Sequence, residues 1–260
     1  MELDIYQIDA FAQNSFEGNP AAVCPLESWL DDDLMQNIAL ENNLSETAFF
    51  VKEGDIFHIR WFTPTVEVDM CGHATLASAY VLFNNLSFKD KEIVFTSKSG
   101  ILKVTKNGEL LEMDFPAQDI KECEVPLPLM VAFDAVPCEC YEAMDYIVVF
   151  DDEKDIQNAK PDLSKLKELP LRGVIITAKS QKYDFVSRFF APNAGVDEDP
   201  VTGSSFTQLV PYWAKVLKNK SFHAKQISHR GGEVFCELDR DRVKISGYCV
   251  LYLQGNINIS

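Results

Sequence analysis

A pentapeptide that returns 128 residues later constrains this chain more than any other feature. Arg60-Trp61-Phe62-Thr63-Pro64 recurs as Arg188-Phe189-Phe190-Ala191-Pro192. Seven residues beyond each proline stands a marked stretch: Cys71-Gly72-His73-Ala74-Thr75 in the first half, Asp199-Pro200-Val201-Thr202-Gly203-Ser204 in the second. Ser97-Lys98-Ser99-Gly100 then matches Ser228-His229-Arg230-Gly231 at an offset of 131. Two spaced matches in the same order read as a duplication. The chain is therefore expected to fold as two similar domains, residues 1–115 and 116–260, with the last strand free to return to the first. On the plain count from each proline, Asp199 takes the place of Cys71.

Most of the chain reads as short strands rich in β-branched and aromatic residues, punctuated by Gly, Pro, Asp and Asn. Leu3–Ala10, Phe57–Phe62, Leu110–Phe115, Val174–Thr177 and Phe185–Phe190 are examples. Asp31–Asn42, Ala74–Phe83, Leu163–Lys167 and Phe206–Leu217 read as helices, the first opened by Asp31-Asp32-Asp33, which suits a helix N-terminus. Each half thus runs strand, proline turn, small-residue loop, helix. The first turn of a helix presents unpaired N–H groups and the positive end of its dipole, so two such turns converging on one cleft would suit a small carboxylate.

Candidate residues follow from this pattern, each beside a plainer reading. Gly72 permits close backbone approach and His73 stands at a helix start as a hydrogen-bonding or acid/base group; Cys71 would lie where a thiol pKa is lowered. The plainer alternative is a helix entry with a buried Cys and a capping His. The second loop, Glu198 to Ser205, reads as a turn and N-cap, a role compatible with binding an anion. Glu46, in Leu44-Ser45-Glu46-Thr47-Ala48, is either a solvated residue at a strand edge or, facing an apolar cleft, a carboxyl raised by desolvation into the range of a proton shuttle. Asn19 lies in a turn-rich stretch and either closes a loop or lines the substrate. Arg230-Gly231-Gly232 is either a turn with one exposed cation or the basic edge of the cleft. His58 and His223 show no partner pattern.

The net charge of −16, with no Lys/Arg stripe, argues against nucleic acid as a partner and requires any anionic substrate to be held by local groups. No apolar stretch reaches ~18 residues, and the acidic start lacks the basic and apolar regions of a signal peptide, so a cytoplasmic location with no membrane partner is expected. Seven scattered cysteines are a poor disulfide framework, and Cys138-Glu139-Cys140 has the wrong spacing for zinc, so no metal is expected.

The ordered set Asp9-Ala10-Phe11, Gly18-Asn19-Pro20-Ala21-Ala22-Val23, Leu44-Ser45-Glu46-Thr47-Ala48-Phe49, Arg60-Trp61-Phe62-Thr63-Pro64, Glu67 through Thr75, Met113-Asp114-Phe115-Pro116, Glu198 through Ser204, Pro211-Tyr212-Trp213 and Arg230-Gly231-Gly232 resembles the PhzF family of phenazine-biosynthesis isomerases, over essentially the whole chain. The resemblance implies an α+β fold of the diaminopimelate-epimerase type, two pseudo-symmetric barrel-like domains each around a central helix, and a homodimer without metal or organic cofactor. Its best-understood member moves a proton between ring carbons of a dihydro-hydroxyanthranilate. By motif, Glu46 would be the catalytic acid/base, His73 and Asp199 would assist it, and Asn19, Gly72, His73, Gly203, Ser204, Arg230 and Gly231 would bind a small carboxylate. An amino-acid or imino-acid epimerase using Cys71 with Asp199 or Glu46, and a non-catalytic binding protein, remain as alternatives. One departure is visible: Gly203-Ser204-Ser205-Phe206 stands where the family often reads Gly-Ser-Ala-His. Pro211 falls inside the second helix, which implies a kink or a late helix start.

Overall fold

The computed structural model describes residues 1–259, and the chain divides into two compact units: residues 1–114 together with those from 246 on, and residues 115–245. The C-terminal strand belongs to the first unit.

The first unit contains β1 (Glu2–Ala10), β2 (Asn19–Leu26), α1 (Asp32–Asn42), β3 (Glu46–Glu53), β4 (Ile56–Phe62), β5 (Glu67–Val68), α2 (Gly72–Asn84), β6 (Glu92–Ser97), β7 (Gly100–Asn107) and β8 (Leu110–Pro116), whose end runs past the boundary. The second contains β9 (Lys121–Glu122), α3 (Leu127–Ala132), β10 (Glu139–Glu142), β11 (Tyr146–Val149), α4 (Glu153–Asn158), α5 (Leu163–Leu166), β12 (Val174–Lys179), β13 (Phe185–Ala191), β14 (Val196–Asp199), α6 (Gly203–Leu217), β15 (Ser221–Gln226), β16 (Gly232–Asp239) and β17 (Arg242–Gly247). The chain ends on β18 (Cys249–Asn258), antiparallel to β1 in the first unit.

Each unit wraps strands around one long helix. In α2, small and apolar residues run all round, and every residue from His73 to Ala79 is buried against β1, β2 and β3. In α6, Trp213 stacks on Phe185 at 5.4 Å while its ring N–H donates to Thr177 Oγ1 at 3.1 Å. Phe206, where the family often has His, is fully buried and packs 6.2 Å from Phe185. The departure from the family pattern therefore falls in the core. Of the kink and the late start that Pro211 implied, the late start is wrong: α6 begins at Gly203 and runs through Pro211. Proline has no N–H to offer the Thr207 carbonyl one turn back. The backbone N–H of Gln118 donates to that carbonyl instead, at 3.0 Å, so the helix continues.

Strand register corrects one further expectation. Trp61 pairs with Val68 in the first unit, and Phe189 pairs with Asp199 in the second. The helices that follow begin at Gly72 and Gly203, with Cys71 and Thr202 at their N-caps. The offset between halves grows from 128 to 131 after the prolines, because the second half inserts a 3₁₀ turn, Pro192–Ala194, closed by Gly195 at φ 81°. The first half closes the same place with the Thr63 N–H donating to the Val66 carbonyl at 2.9 Å. Asp199 therefore stands in the place of Val68, and Thr202 in the place of Cys71. Counting seven residues from each proline ignored that insertion.

Candidate active site

Glu46 is the first residue of β3, which runs parallel to β2 with Ala21 opposite Glu46. The chain enters β3 from α1 through Asn43, at φ 48°. Two side-chain bonds fix the entry: Asn42 Nδ2 donates to Thr47 Oγ1 at 3.0 Å, and Ser45 Oγ donates to Asn19 Oδ1 at 3.1 Å. Asn19 is itself fully buried and opens β2. The turn-rich stretch before it turns at Gly18, φ 67°, where a side chain would run into the Ala10 carbonyl.

The Glu46 carboxylate meets His73 at the start of α2, with Oε2 3.0 Å from Nε2. The other ring nitrogen, Nδ1, lies 3.5 Å from the Cys71 sulfur. His73 and Cys71 are buried, and the Glu46 side chain is 18% exposed. Glu46 Oε2 and His73 Nε2 are both closed off from solvent. Burial opposes a charge on His73, but Cys71 and Glu46 beside it more than offset this and lift the ring well above its ordinary pKa. Burial, reinforced by the charge of Glu46, pushes the Cys71 thiol up. The sequence reading expected it to be lowered; a buried sulfur beside a carboxylate loses more from desolvation than it gains from the helix start. Cys71, His73 and Glu46 place donor atoms within 4.8 Å of one another, the types that bind zinc. The imidazole uses a different nitrogen toward each neighbour, so a single ion would displace one of the two contacts.

In the second unit, Asp199, Thr202 and Gln226 form one network. The Thr202 hydroxyl donates to the Asp199 carboxylate, and the Thr202 N–H donates to Gln226 Oε1 at 2.9 Å. Gln226 Nε2 donates in turn to the Asp199 carbonyl at 2.7 Å. Ser228 Oγ donates to the Pro200 carbonyl at 2.7 Å and accepts from the Gly231 N–H at 3.0 Å, which brings the turn carrying Arg230 and Gly231, the latter at φ 65°, against the Asp199 loop. The first unit ties the matching carbonyl, Asp69, to Ser99. Ser204, second residue of α6, accepts from Arg172 Nη2 at 3.0 Å. The structure thus joins Glu46 to His73 in one unit, and Asp199 to the loops bearing Gly203 and Gly231 in the other. Sequence reasoning gave no role to Thr202, Gln226, Arg172 or Asp145; Thr202 lies inside the marked second loop, and the other three lie in no repeated motif, so only the aligned register marks their places. His58 and His223, which show no partner pattern in the sequence, pair with Glu53 at 3.5 Å and Glu233 at 2.8 Å.

Two strand-wrapped units, each around one helix whose first turn carries the candidate residues, define the diaminopimelate-epimerase-like class. The family model described as phenazine biosynthesis-like protein, PhzC-PhzF, matches residues 8–255. An uncharacterized isomerase of Pseudomonas aeruginosa is 51% identical over the full length of both chains, and a human phenazine biosynthesis-like domain-containing protein is 39% identical over 99% of both. The crystal structure of a PhzF-family protein from Enterococcus faecalis superposes with a TM-score of 0.98 at 46% identity, covering all of both chains. A hydroxyproline epimerase from Agrobacterium vitis shares the fold at a TM-score of 0.64 and 10% identity, covering 98% of this chain and 92% of its own. The chain belongs to the PhzF family and is an enzyme of the isomerase class.

Proposed function

We propose that this enzyme isomerises a small carboxylate-bearing metabolite by moving a proton with Glu46, without metal or organic cofactor. The observation that carries the reading is the Glu46–His73 pair: a carboxylate 3.0 Å from an imidazole whose pKa is raised, both reacting atoms closed off from bulk water. A carboxylate takes a proton from carbon and becomes a neutral acid until it returns the proton; the neighbouring imidazolium favours the ionised carboxylate before the first transfer and after the second. The carboxylate has lone pairs beyond the one that faces His73, so it can still take the substrate proton. In this reading Gly72 and His73 lend N–H groups at the start of α2, and Asn19 holds Ser45 and with it the entry to β3. Asp199, Gly203, Ser204, Arg230 and Gly231 bind and orient the carboxylate. The enzyme works as a cytoplasmic homodimer; no helix among the described residues is long and apolar enough to cross a membrane.

Solvent-deuterium uptake tests the reading. A panel of cyclic and acyclic carboxylates, including a dihydro-hydroxyanthranilate, is incubated in heavy water with the enzyme and with Glu46→Gln. Uptake into a panel member by the wild type and its loss in the variant are expected; full uptake by Glu46→Gln removes Glu46 from the mechanism. The epimerase alternative needs Cys71 as a base, which a thiol pushed up by burial serves poorly.

A further inference from the structure

The two units can be superimposed in register, and the place of Glu46 in the second is informative. Thr47 pairs with Phe62, and Val174 pairs with Phe190, the same aromatic of the repeat. Gly173 therefore corresponds to Glu46, and Arg172 to Ser45. No side chain fits at Gly173: an added Cβ would lie 2.6 Å from Phe189 Cζ and 2.8 Å from the Phe190 carbonyl oxygen. The second unit thus has no room for a matching acid/base. In its place the guanidinium of Arg172 sits 5.3 Å above the Phe189 ring and bonds Ser204 at 3.0 Å. By the shared helix start, Ser204 corresponds to His73. Where one unit sets a carboxylate against an imidazole, the other sets a guanidinium against a hydroxyl. The first pair suits a proton and the second an anion.

The guanidinium is held rigidly. Its Nε and Nη2 donate to the two oxygens of Asp145 at 2.9 and 2.6 Å. Asp145 is fully buried, and Gln208 of α6 braces it with Nε2 donating at 2.7 Å and Oε1 accepting from the Asp145 N–H at 3.1 Å. Burying a carboxylate is costly, and here it fixes a cation whose own side chain is 39% exposed. This clamp uses Nε and Nη2 and leaves both N–H groups of Nη1 without a partner among the described residues. In a chain of net charge −16, such a fixed, outward guanidinium edge is the kind of local group an anionic substrate requires.

We propose that Arg172 is the substrate-carboxylate-binding residue of this enzyme: Nη1 and the Ser204 hydroxyl together grip the anion, with Asp145 and Gln208 setting the angle of the guanidinium. The proposal rests on the reading above only in taking the substrate to be a carboxylate. Its test uses benzoate as the anionic probe and benzamide as the neutral isostere, titrated by nuclear magnetic resonance into the wild type, Ser204→Ala, Arg172→Lys and the double variant Arg172→Gln/Asp145→Asn. The double variant removes both charges and strands neither. The wild type is expected to bind benzoate about tenfold or more tighter than benzamide, as a charge-assisted contact requires, and the double variant to lose that preference while keeping its melting behaviour. Ser204→Ala and Arg172→Lys should each weaken benzoate severalfold and leave benzamide unchanged. A folded double variant that binds benzoate like the wild type, or a wild type without preference for the anion, overturns the proposal. Should the double variant not fold, unchanged benzoate affinity in Arg172→Lys overturns it. Glu46→Gln should bind benzoate normally, so a failure of the proton-transfer reading appears in deuterium uptake and not in this titration.

Discussion

At the residue scale, Glu46, His73 and Cys71 differ in burial, and the roles proposed for them follow from that difference. Removing the carboxylate with Glu46→Gln should lower solvent-deuterium exchange by about 10²–10⁴-fold, the usual contribution of a positioned acid/base, with little change in melting temperature. Cys71→Ala should retain most of that exchange, because burial pushes its thiol up; loss comparable to that of Glu46→Gln would make the sulfur a catalytic base. A different acid sets a pH dependence of stability. Hydrogen bonds from Arg60, at 2.8 and 3.0 Å, hold the Glu67 carboxyl down to about 2. A carboxyl lowered on folding contributes stability above its unfolded value, near 4.5, and that contribution fades as the pH falls toward about 2. Denaturation midpoints of Glu67→Gln should accordingly fall less steeply than those of the wild type across this window. Glu46, His73 and Asp199 were all legible in the sequence as members of marked motifs. Arg172 was not, because an arginine before a glycine has no signature until a strand register places it.

At the element scale, the duplicated strand–turn–helix is stabilised by the same device in each unit, a bidentate arginine–glutamate pair. Arg60 meets Glu67, and Arg188 meets Glu198 at 2.7 and 2.9 Å. The repeated arginines read in the sequence as landmarks; their task is to tie β4 to β5 and β13 to β14. The helix starts differ in their support. Gln226 satisfies the buried N–H of Thr202, so Gln226→Leu leaves that donor without its partner. A cost of about 1–3 kcal/mol is expected from urea denaturation. Gly173→Ala should cost a similar ~1–3 kcal/mol, since the Phe190 backbone must shift to admit the methyl group.

At the scale of the whole molecule, the first unit is built from both ends of the chain. β18 pairs with β1 from Glu2–Asn258 to Ala10–Cys249, while the second unit is one continuous stretch. Truncation after residue 247 should therefore raise amide hydrogen exchange along β1 and β2 while leaving β11, β12 and β13 protected; uniform loss of protection would mean that the two units unfold as one. The sequence by itself determined the duplication, the strand-rich class, the family and most of the candidate residues, because these are written in local periodicity and in short motifs whose chemistry does not depend on distant partners. Tertiary structure alone decided the rest. Register showed that Asp199 stands in the place of Val68, a three-residue insertion that counting along the chain cannot locate. A long-range bond from Gln118 carried α6 through Pro211, where the sequence implied a kink or a late start. Burial reversed the shift expected for Cys71. Each of these depends on which groups far apart in the chain share a neighbourhood, and hydrogen bonding, desolvation and charge act through that neighbourhood.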